Sequence, residues 1–142
     1  ILNYTWNRVD NSRTNLTGKT LAGQSVSLMG NHLTQQPTNA ASGFLDYHFP
    51  DTIAPGLSIN FGGRYQGRSW ADQANSFRNP SYVLFDGGFN WDAGKLFQSV
   101  KGLNVRLSIS NLGNKTYVQC GSSDMCYYGA KRVAYGTIGY HW

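Results

Sequence analysis

Six stretches of this sequence alternate apolar and polar residues with a period of two, and that rhythm constrains the fold more than any other feature. In an extended chain, side chains two residues apart share a face, so a sustained alternation marks a strand between two different environments. In the first stretch Leu2, Tyr4 and Trp6 alternate with Asn3, Thr5 and Asn7. In the second Ala41, Gly43, Leu45, Tyr47 and Phe49 alternate with Ser42, Phe44, Asp46 and His48. The third is the cleanest: Leu57, Ile59, Phe61 and Tyr65 oppose Ser58, Asn60, Gly62, Arg64 and Gln66. The fourth sets Val83, Phe85, Phe89 and Trp91 against Asp86, Gly88 and Asn90. Leu103, Val105, Leu107 and Ile109 then alternate with Asn104, Arg106, Ser108 and Ser110, and the last stretch sets Ala134, Gly136, Ile138, Tyr140 and Trp142 against Thr137, Gly139 and His141. The chain is therefore expected to be all-β and antiparallel.

The polar partners point to the environment. The water-facing side of a soluble sandwich is commonly rich in Lys and Glu, whereas here it is mostly Asn, Ser, Gly and Thr with a few Arg and Asp, which suits the wet lumen of a wide barrel. Charged residues make up only 13% of the chain and aromatics 14%, yet the mean hydropathy is −0.41. Composition alone fits both a lipid-and-water surface and a soluble sandwich rich in Gly and Tyr. Aromatics cluster at the strand ends, at Tyr4 and Trp6, Tyr47 and Phe49, Trp70, Phe89 and Trp91, and Tyr140 and Trp142. Such placement fits the aromatic girdles of membrane interfaces.

The connections alternate in length. Residues 50–56 and 93–102 read as turns, whereas 11–36, 71–79 and 120–126 read as loops at the opposite end. Outer-membrane barrels have short periplasmic turns and longer external loops; the last strand, ending on Trp142, reads as reaching the periplasmic side, and counting back from it puts the second group outside. Six strands cannot close a membrane barrel, whose single-chain minimum is about eight. Either two more strands hide in 11–36, where 18–30 alternates weakly, or these strands belong to a larger barrel. The start at Ile1 reads as mid-strand and has neither the basic nor the apolar region of a signal peptide.

Charge and cysteines narrow the functions. The net charge is +5, but the basic residues are dispersed and only Lys131 and Arg132 are adjacent, so no nucleic-acid partner is expected. Cys120 and Cys126 flank a short Gly/Ser/Asp segment. A disulfide-closed loop in an oxidising compartment is the expected reading, with two unpaired thiols as the alternative. The three histidines, His32, His48 and His141, are scattered and no Cys-x-x-Cys occurs, so no metal site is expected. Asp46, His48 and Asp86 come without a nucleophile motif, so no catalytic residues and no enzyme are expected. Asp86 is expected to pair with Arg64 or Arg106 on a neighbouring strand.

Several motifs resemble those of TonB-dependent ferric-siderophore receptors. Asn111-Leu112-Gly113-Asn114-Lys115-Thr116-Tyr117 is similar to the family's Asn-Leu-Phe-Asp-Lys-x-Tyr, with Gly113 in place of the usual Phe. Cys120 to Cys126-Tyr127-Tyr128-Gly129, Lys131-Arg132 and the closing Gly139-Tyr140-His141-Trp142 follow, with Trp142 in place of the commoner Phe. Upstream, Gly62-Gly63-Arg64-Tyr65-Gln66-Gly67 resembles the family's Gly-x-Arg-Tyr-x-Gly strand, and Pro80-Ser81-Tyr82-Val83-Leu84-Phe85-Asp86 its Pro-Ser-Tyr-x-x-Phe-Asp strand. The cysteine pair before Tyr-Tyr-Gly looks most like receptors for hydroxamate siderophores of the ferrichrome and ferrioxamine kind.

That resemblance favours the larger barrel. It implies a 22-stranded transmembrane β-barrel in the bacterial outer membrane, of which residues 1–142 form the last six strands, with the plug domain and earlier strands absent. It also implies import of a ferric siderophore, with iron arriving already chelated and no cofactor held by the protein. The implied partners are the ferric siderophore, outer-membrane lipid, TonB through the absent N-terminal region, and the barrel-assembly machinery, which would read Tyr140 and Trp142 as a C-terminal signal. Trp70, Tyr127 and Tyr128 lie nearest the external loops and are the expected ligand contacts, with Tyr117 behind them; packing in the loops or the outer girdle is the alternative for each. Other readings are a TonB-dependent receptor for haem, cobalamin or a glycan, and a small eight-stranded structural barrel or adhesin.

Overall fold

The computed structural model of the chain describes residues 1–121 and 125–142. Twelve strands occur among them: β1 (Leu2–Trp6), β2 (Thr17–Lys19), β3 (Ser25–Ser27), β4 (Asn39–His48), β5 (Leu57–Gln66), β6 (Ser69–Trp70), β7 (Arg78–Asn79), β8 (Tyr82–Asp92), β9 (Leu103–Ser110), β10 (Val118–Cys120), β11 (Cys126–Tyr128) and β12 (Val133–Tyr140). Six of them form one antiparallel sheet in the order β1-β4-β5-β8-β9-β12, and these are the six alternating stretches. The other six make three short hairpins in the connections, β2-β3, β6-β7 and β10-β11.

Register carries the alternation across the whole sheet. Tyr4 sits opposite Ala41, Ala41 opposite Tyr65, and Tyr65 opposite Val83. Lower down, Tyr47 faces Ile59, Ile59 faces Phe89, and Phe89 faces Leu107, which faces Gly136. Directly opposed residues point to the same side, so every strand presents its apolar set to one face. That face carries no charged residue on any of the six strands. Asp46, His48, Arg64, Asp86, Asp92 and Arg106 all fall on the other. A slip of one residue in any pairing would exchange the two sets.

The apolar side chains are not gathered into a core. Among the described residues the buried hydrophobics are only Leu28, Ala71, Leu84, Ala93 and Cys120, while Leu45, Phe61 and Ile138 are 66%, 50% and 75% exposed. A water-soluble monomer rarely leaves so extended an apolar face uncovered. With ten residues in β4 and β5 and eleven in β8, the three central strands have the length of tilted membrane-spanning strands, about 9–11 residues. The soluble sandwich that composition left open is thereby set aside.

The hairpin suspected in 18–30 exists as β2-β3, but each strand is three residues long and pairs with no strand of the large sheet. It is too short to add two spanning strands. The sheet remains open, with β1 and β12 at its edges, and belongs to a larger barrel.

The two short connections lie together at one end. Gly56 and Gly102 take φ of +71° and +92°, which L side chains rarely adopt, and so close the turns. Asp92 N–H donates to the Gly56 carbonyl at 3.0 Å, and Lys95 reaches Asp51 at 3.6 Å. The second connection is wound into two 3₁₀ turns, Ala93–Lys95 and Gln98–Val100. Tyr47 packs edge-on against Phe49 with centroids 4.9 Å apart, and Tyr140 lies 6.5 Å from Trp142. With Trp91, which donates to the Pro55 carbonyl, they form an aromatic band at this end. Tyr4, Trp6 and Tyr65 form the counterpart at the end of the long loops. Trp70 does not join either band: it lies in β6, within a loop hairpin.

A cysteine at position 59 is expected to resist a charged, water-soluble thiol reagent in intact outer membranes, and one at position 60 to react. Equal labelling at both would contradict this register.

Candidate functional site

The three long connections, 7–38, 67–81 and 111–132, emerge from the same end of the sheet and interlock. Their joints are side-chain amides and carboxylates that pair with backbone as a strand would. Asn75, at φ +54°, accepts from the His32 N–H at 2.7 Å and donates to the His32 carbonyl at 3.0 Å. Asn79 accepts from the Cys120 N–H at 2.7 Å and donates to the Cys120 carbonyl at 3.0 Å. Both Asn79 and Cys120 are buried. Gln35 N–H donates to the Trp70 carbonyl at 2.8 Å. The middle loop thus grips the first through Asn75 and the third through Asn79.

Asp72 organises the middle loop from within. Its carboxylate accepts from the Phe77 N–H at 2.8 Å, the Ser76 N–H at 3.0 Å and the Ser76 hydroxyl at 2.7 Å. Burial by itself would raise its pKa, but these hydrogen bonds outweigh it and hold the carboxyl below the ordinary 3.8. In the first loop Asp10 is bonded by Arg8 at 2.9 Å and also pairs with His32. The Arg8 hydrogen bond is the chief reason its carboxyl also lies low.

The Asn-Leu-Gly-Asn-Lys motif is a joint between strand and loop. Asn111, at φ +53° and 2% exposed, donates its N–H to Asp86 at 2.8 Å. Its side chain accepts from the Lys115 N–H at 2.8 Å and donates to the Lys115 and Ala130 carbonyls at 2.9 and 3.0 Å. Asn114, at φ +48°, accepts from the Arg132 N–H at 3.1 Å. Asn tolerates this left-handed conformation better than most residues. Asp86 also meets Arg64 at 3.4 Å, so of its two expected partners Arg64 is the one it takes. Nothing lies within 4 Å of the point where a Cβ at Gly113 would stand, so a side chain there would begin in open space.

The disulfide joins Cys120 and Cys126, which are directly opposed across the β10-β11 hairpin. Residues 122–124 of that loop lie outside the described set. The hairpin presents Tyr127 and Tyr128, 62% and 78% exposed, beside a cleft that they line with Gln66, Ser69, Asn79 and Gln119. Tyr117 is not in that cleft. Its ring lies 4.4 Å from Tyr82 and against Gly129, where any Cβ would collide with it. Trp70 lines a neighbouring cleft of about 250 Å³ with Arg68, Arg78 and His32, and Arg78 lies 4.0 Å above its ring. Ser69 lines both clefts. Of the four expected contacts, two therefore share a cleft, Trp70 lines the adjoining one, and Tyr117 supports the hairpin from behind.

Sequence reasoning missed Asn75 and Asn79 as joints, and Arg68 and Arg78 as lining residues. For the arginines, the signal was their position around the one tryptophan within the loops. The asparagines gave none, because their partners lie 43 and 41 residues away.

The comparisons agree with this architecture. The family model described as TonB dependent receptor-like, beta-barrel matches residues 1–112, a span that includes the Gly62–Gly67 and Pro80–Asp86 motifs and ends within the Asn-Leu-Gly-Asn joint. The likeness read in 113–142 lies beyond that match. The chain is 39% identical over 112 residues to the ferrioxamine receptor of Yersinia enterocolitica, covering 78% of this chain and 15% of that protein. It is 38% identical over 109 residues to the ferrichrome outer membrane transporter/phage receptor of Escherichia coli K12, covering 76% of this chain and 14% of that one. Among solved structures, the siderophore receptor PiuA from Acinetobacter baumannii superposes with a TM-score of 0.76 at 22% identity, over 98% of this chain and 19% of its own.

Two outcomes are expected for the loop layer. Asn79→Ala leaves the buried Cys120 N–H and carbonyl unpaired, at about 1–3 kcal/mol per group, and hydrogen exchange in 67–81 and 118–121 is expected to accelerate while the sheet stays protected. Because the Asp72 pKa is lowered on folding, its contribution is complete above the unfolded value and is lost as pH falls through the folded one. Protection of 71–77 is therefore expected to be flat from neutrality to about pH 5 and to drop below about pH 4, and Asp72→Asn should abolish that drop.

Proposed function

This chain belongs to the TonB-dependent receptor-like β-barrel family, and on that footing we propose that its parent protein imports a ferric hydroxamate siderophore across the bacterial outer membrane. The protein is an outer-membrane receptor of this family and not an enzyme. The chain spans about 15% of the length of the curated relatives it matches, so substrate, energy source and partners belong to the proposal. The observation that carries it is similarity at 38–39% identity to receptors named for ferrioxamine and ferrichrome, both hydroxamate chelates.

The loop layer supports that reading. Import requires an outer surface that recognises a chelate by shape, since the iron arrives with its coordination sphere filled. Tyr127 and Tyr128 offer amphipathic rings of low conformational entropy on a hairpin held by the disulfide and by Asn79. In this proposal residues 1–142 are the last six strands of a 22-stranded barrel, TonB is engaged through a region outside them, and Tyr140 and Trp142 are read by the barrel-assembly machinery. Lipid lies against the charge-free face, where each interfacial aromatic band is favoured.

The test uses the full-length protein in a host stripped of its own siderophore receptors. Uptake of radioiron is expected from ferrioxamine and ferrichrome complexes, and a protonophore should abolish it. Tyr127→Ala and Tyr128→Ala together are expected to weaken binding by about tenfold, the usual effect of losing an aromatic anchor of 1–2 kcal/mol. Uptake of haem, cobalamin or a glycan in place of both chelates would overturn the assignment.

A further inference from the structure

The cleft around Trp70 has a charge that the proposed function does not use. Three arginines, Arg8, Arg68 and Arg78, line it together with His32. The nearby carboxylate, Asp10, is engaged by Arg8 and His32. Asp72, in the same loop layer, spends its oxygens on Ser76 and Phe77. Among the described residues Arg68 and Arg78 have no carboxylate partner. Arg78 is directly opposite Trp70 across β6-β7 and rests on its ring, a cation–π contact that orients the guanidinium. The wall also carries neutral hydrogen-bonding groups from Asn7 and Gln36.

Size limits what such a cleft accepts. At about 250 Å³ it is smaller than the roughly 300–1,000 Å³ of sites that enclose a whole small molecule. It suits an arm of a ligand whose bulk lies elsewhere, and the Tyr127-Tyr128 cleft adjoins it across Ser69. Charge limits it further. Three deprotonated hydroxamates neutralise ferric iron, so the net charge of such a complex is set by its tail, which bears an ammonium in some chelates and a carboxylate in others. Two guanidiniums with no carboxylate partner among the described residues repel the first and hold the second by charge-assisted hydrogen bonds.

We propose that Arg68 and Arg78, with Trp70, form an anion site that selects ferric hydroxamates with a carboxylate-bearing tail over those with an ammonium tail. This rests on the siderophore reading above and adds a charge class to it. The lipid A phosphates of the surrounding leaflet present the same kind of anionic oxygen, but a recessed cleft too small for a headgroup with its sugars favours the tail.

The experiment compares two probes on the purified full-length receptor: the ferric complex of desferrioxamine B, whose tail is an amine, and that of its N-succinyl derivative, whose tail is a carboxylate. Wild type is expected to bind the succinylated complex about fivefold to tenfold more tightly, the scale of one or two partly exposed charge contacts. In Arg68→Gln/Arg78→Gln the two affinities are expected to converge, chiefly through loss for the succinylated probe, with the heat-modifiable folded band unchanged. Added salt should narrow the wild-type gap. Equal binding of both probes by wild type would overturn the anion site and leave the siderophore reading standing, whereas binding of neither would overturn both. If the double variant keeps the preference but loses co-purifying lipopolysaccharide phosphate, the arginines face lipid and the proposal is wrong.

Discussion

Every structural choice in this chain depends on the need of backbone N–H and C=O groups for partners where water is absent. In hydrocarbon an unpaired group costs several kcal/mol. The six long strands meet that demand with a continuous antiparallel ladder from β1 to β12. Once the ladder exists, each pairing fixes which side chains share a face, and a face that meets lipid tolerates no charge. Leu45, Phe61 and Ile138 stay exposed, and against the lipid of the proposed setting such a face needs no buried core.

The same demand is met differently at the loop end. Strands there are two or three residues long, too short to satisfy the backbone by themselves. Asn75, Asn79 and Asn111 stand in for missing strand residues, each offering a donor and an acceptor from one side chain. The carboxylates of Asp72 and Asp86 take up N–H groups that would otherwise be orphaned. The outcome is a loop layer fastened to the sheet at Asp86–Asn111 and fastened across itself at Asn75 and Asn79. A surface that binds a chelate by shape benefits from such pre-organisation, because less conformational entropy is lost on binding.

Asp86 shows how the two regions communicate. It lies on the polar face of β8, pairs with Arg64 on β5, and accepts the N–H that starts the Asn111 turn. One carboxylate therefore ties two spanning strands to the loop that carries the disulfide hairpin. Behind that hairpin the Tyr117 ring packs so closely on Gly129 that a Cβ there would overlap it and the ring would have to move.

The sequence by itself determined the six strands and their faces, and it set Cys120 and Cys126 where a disulfide could close a short loop. Those features are local: alternation is a property of residues i and i+2, and a hairpin disulfide of residues six apart. It also put Asp86 on the same face as Arg64 and Arg106 of the strands expected beside it, because alternation fixes the face, while only the register chose Arg64. Tertiary structure alone decided how the loops dock. It drew Trp70 out of the aromatic band and under Arg78, sent Tyr117 behind the hairpin, and reduced the suspected strands in 18–30 to three residues each. It also matched Asn75 with His32 and Asn79 with Cys120 over more than forty residues of sequence. A side-chain amide can bond to almost any backbone segment brought beside it, so its residue type carries no address. Only the fold, by setting three loops on one end of one sheet, supplied the partner.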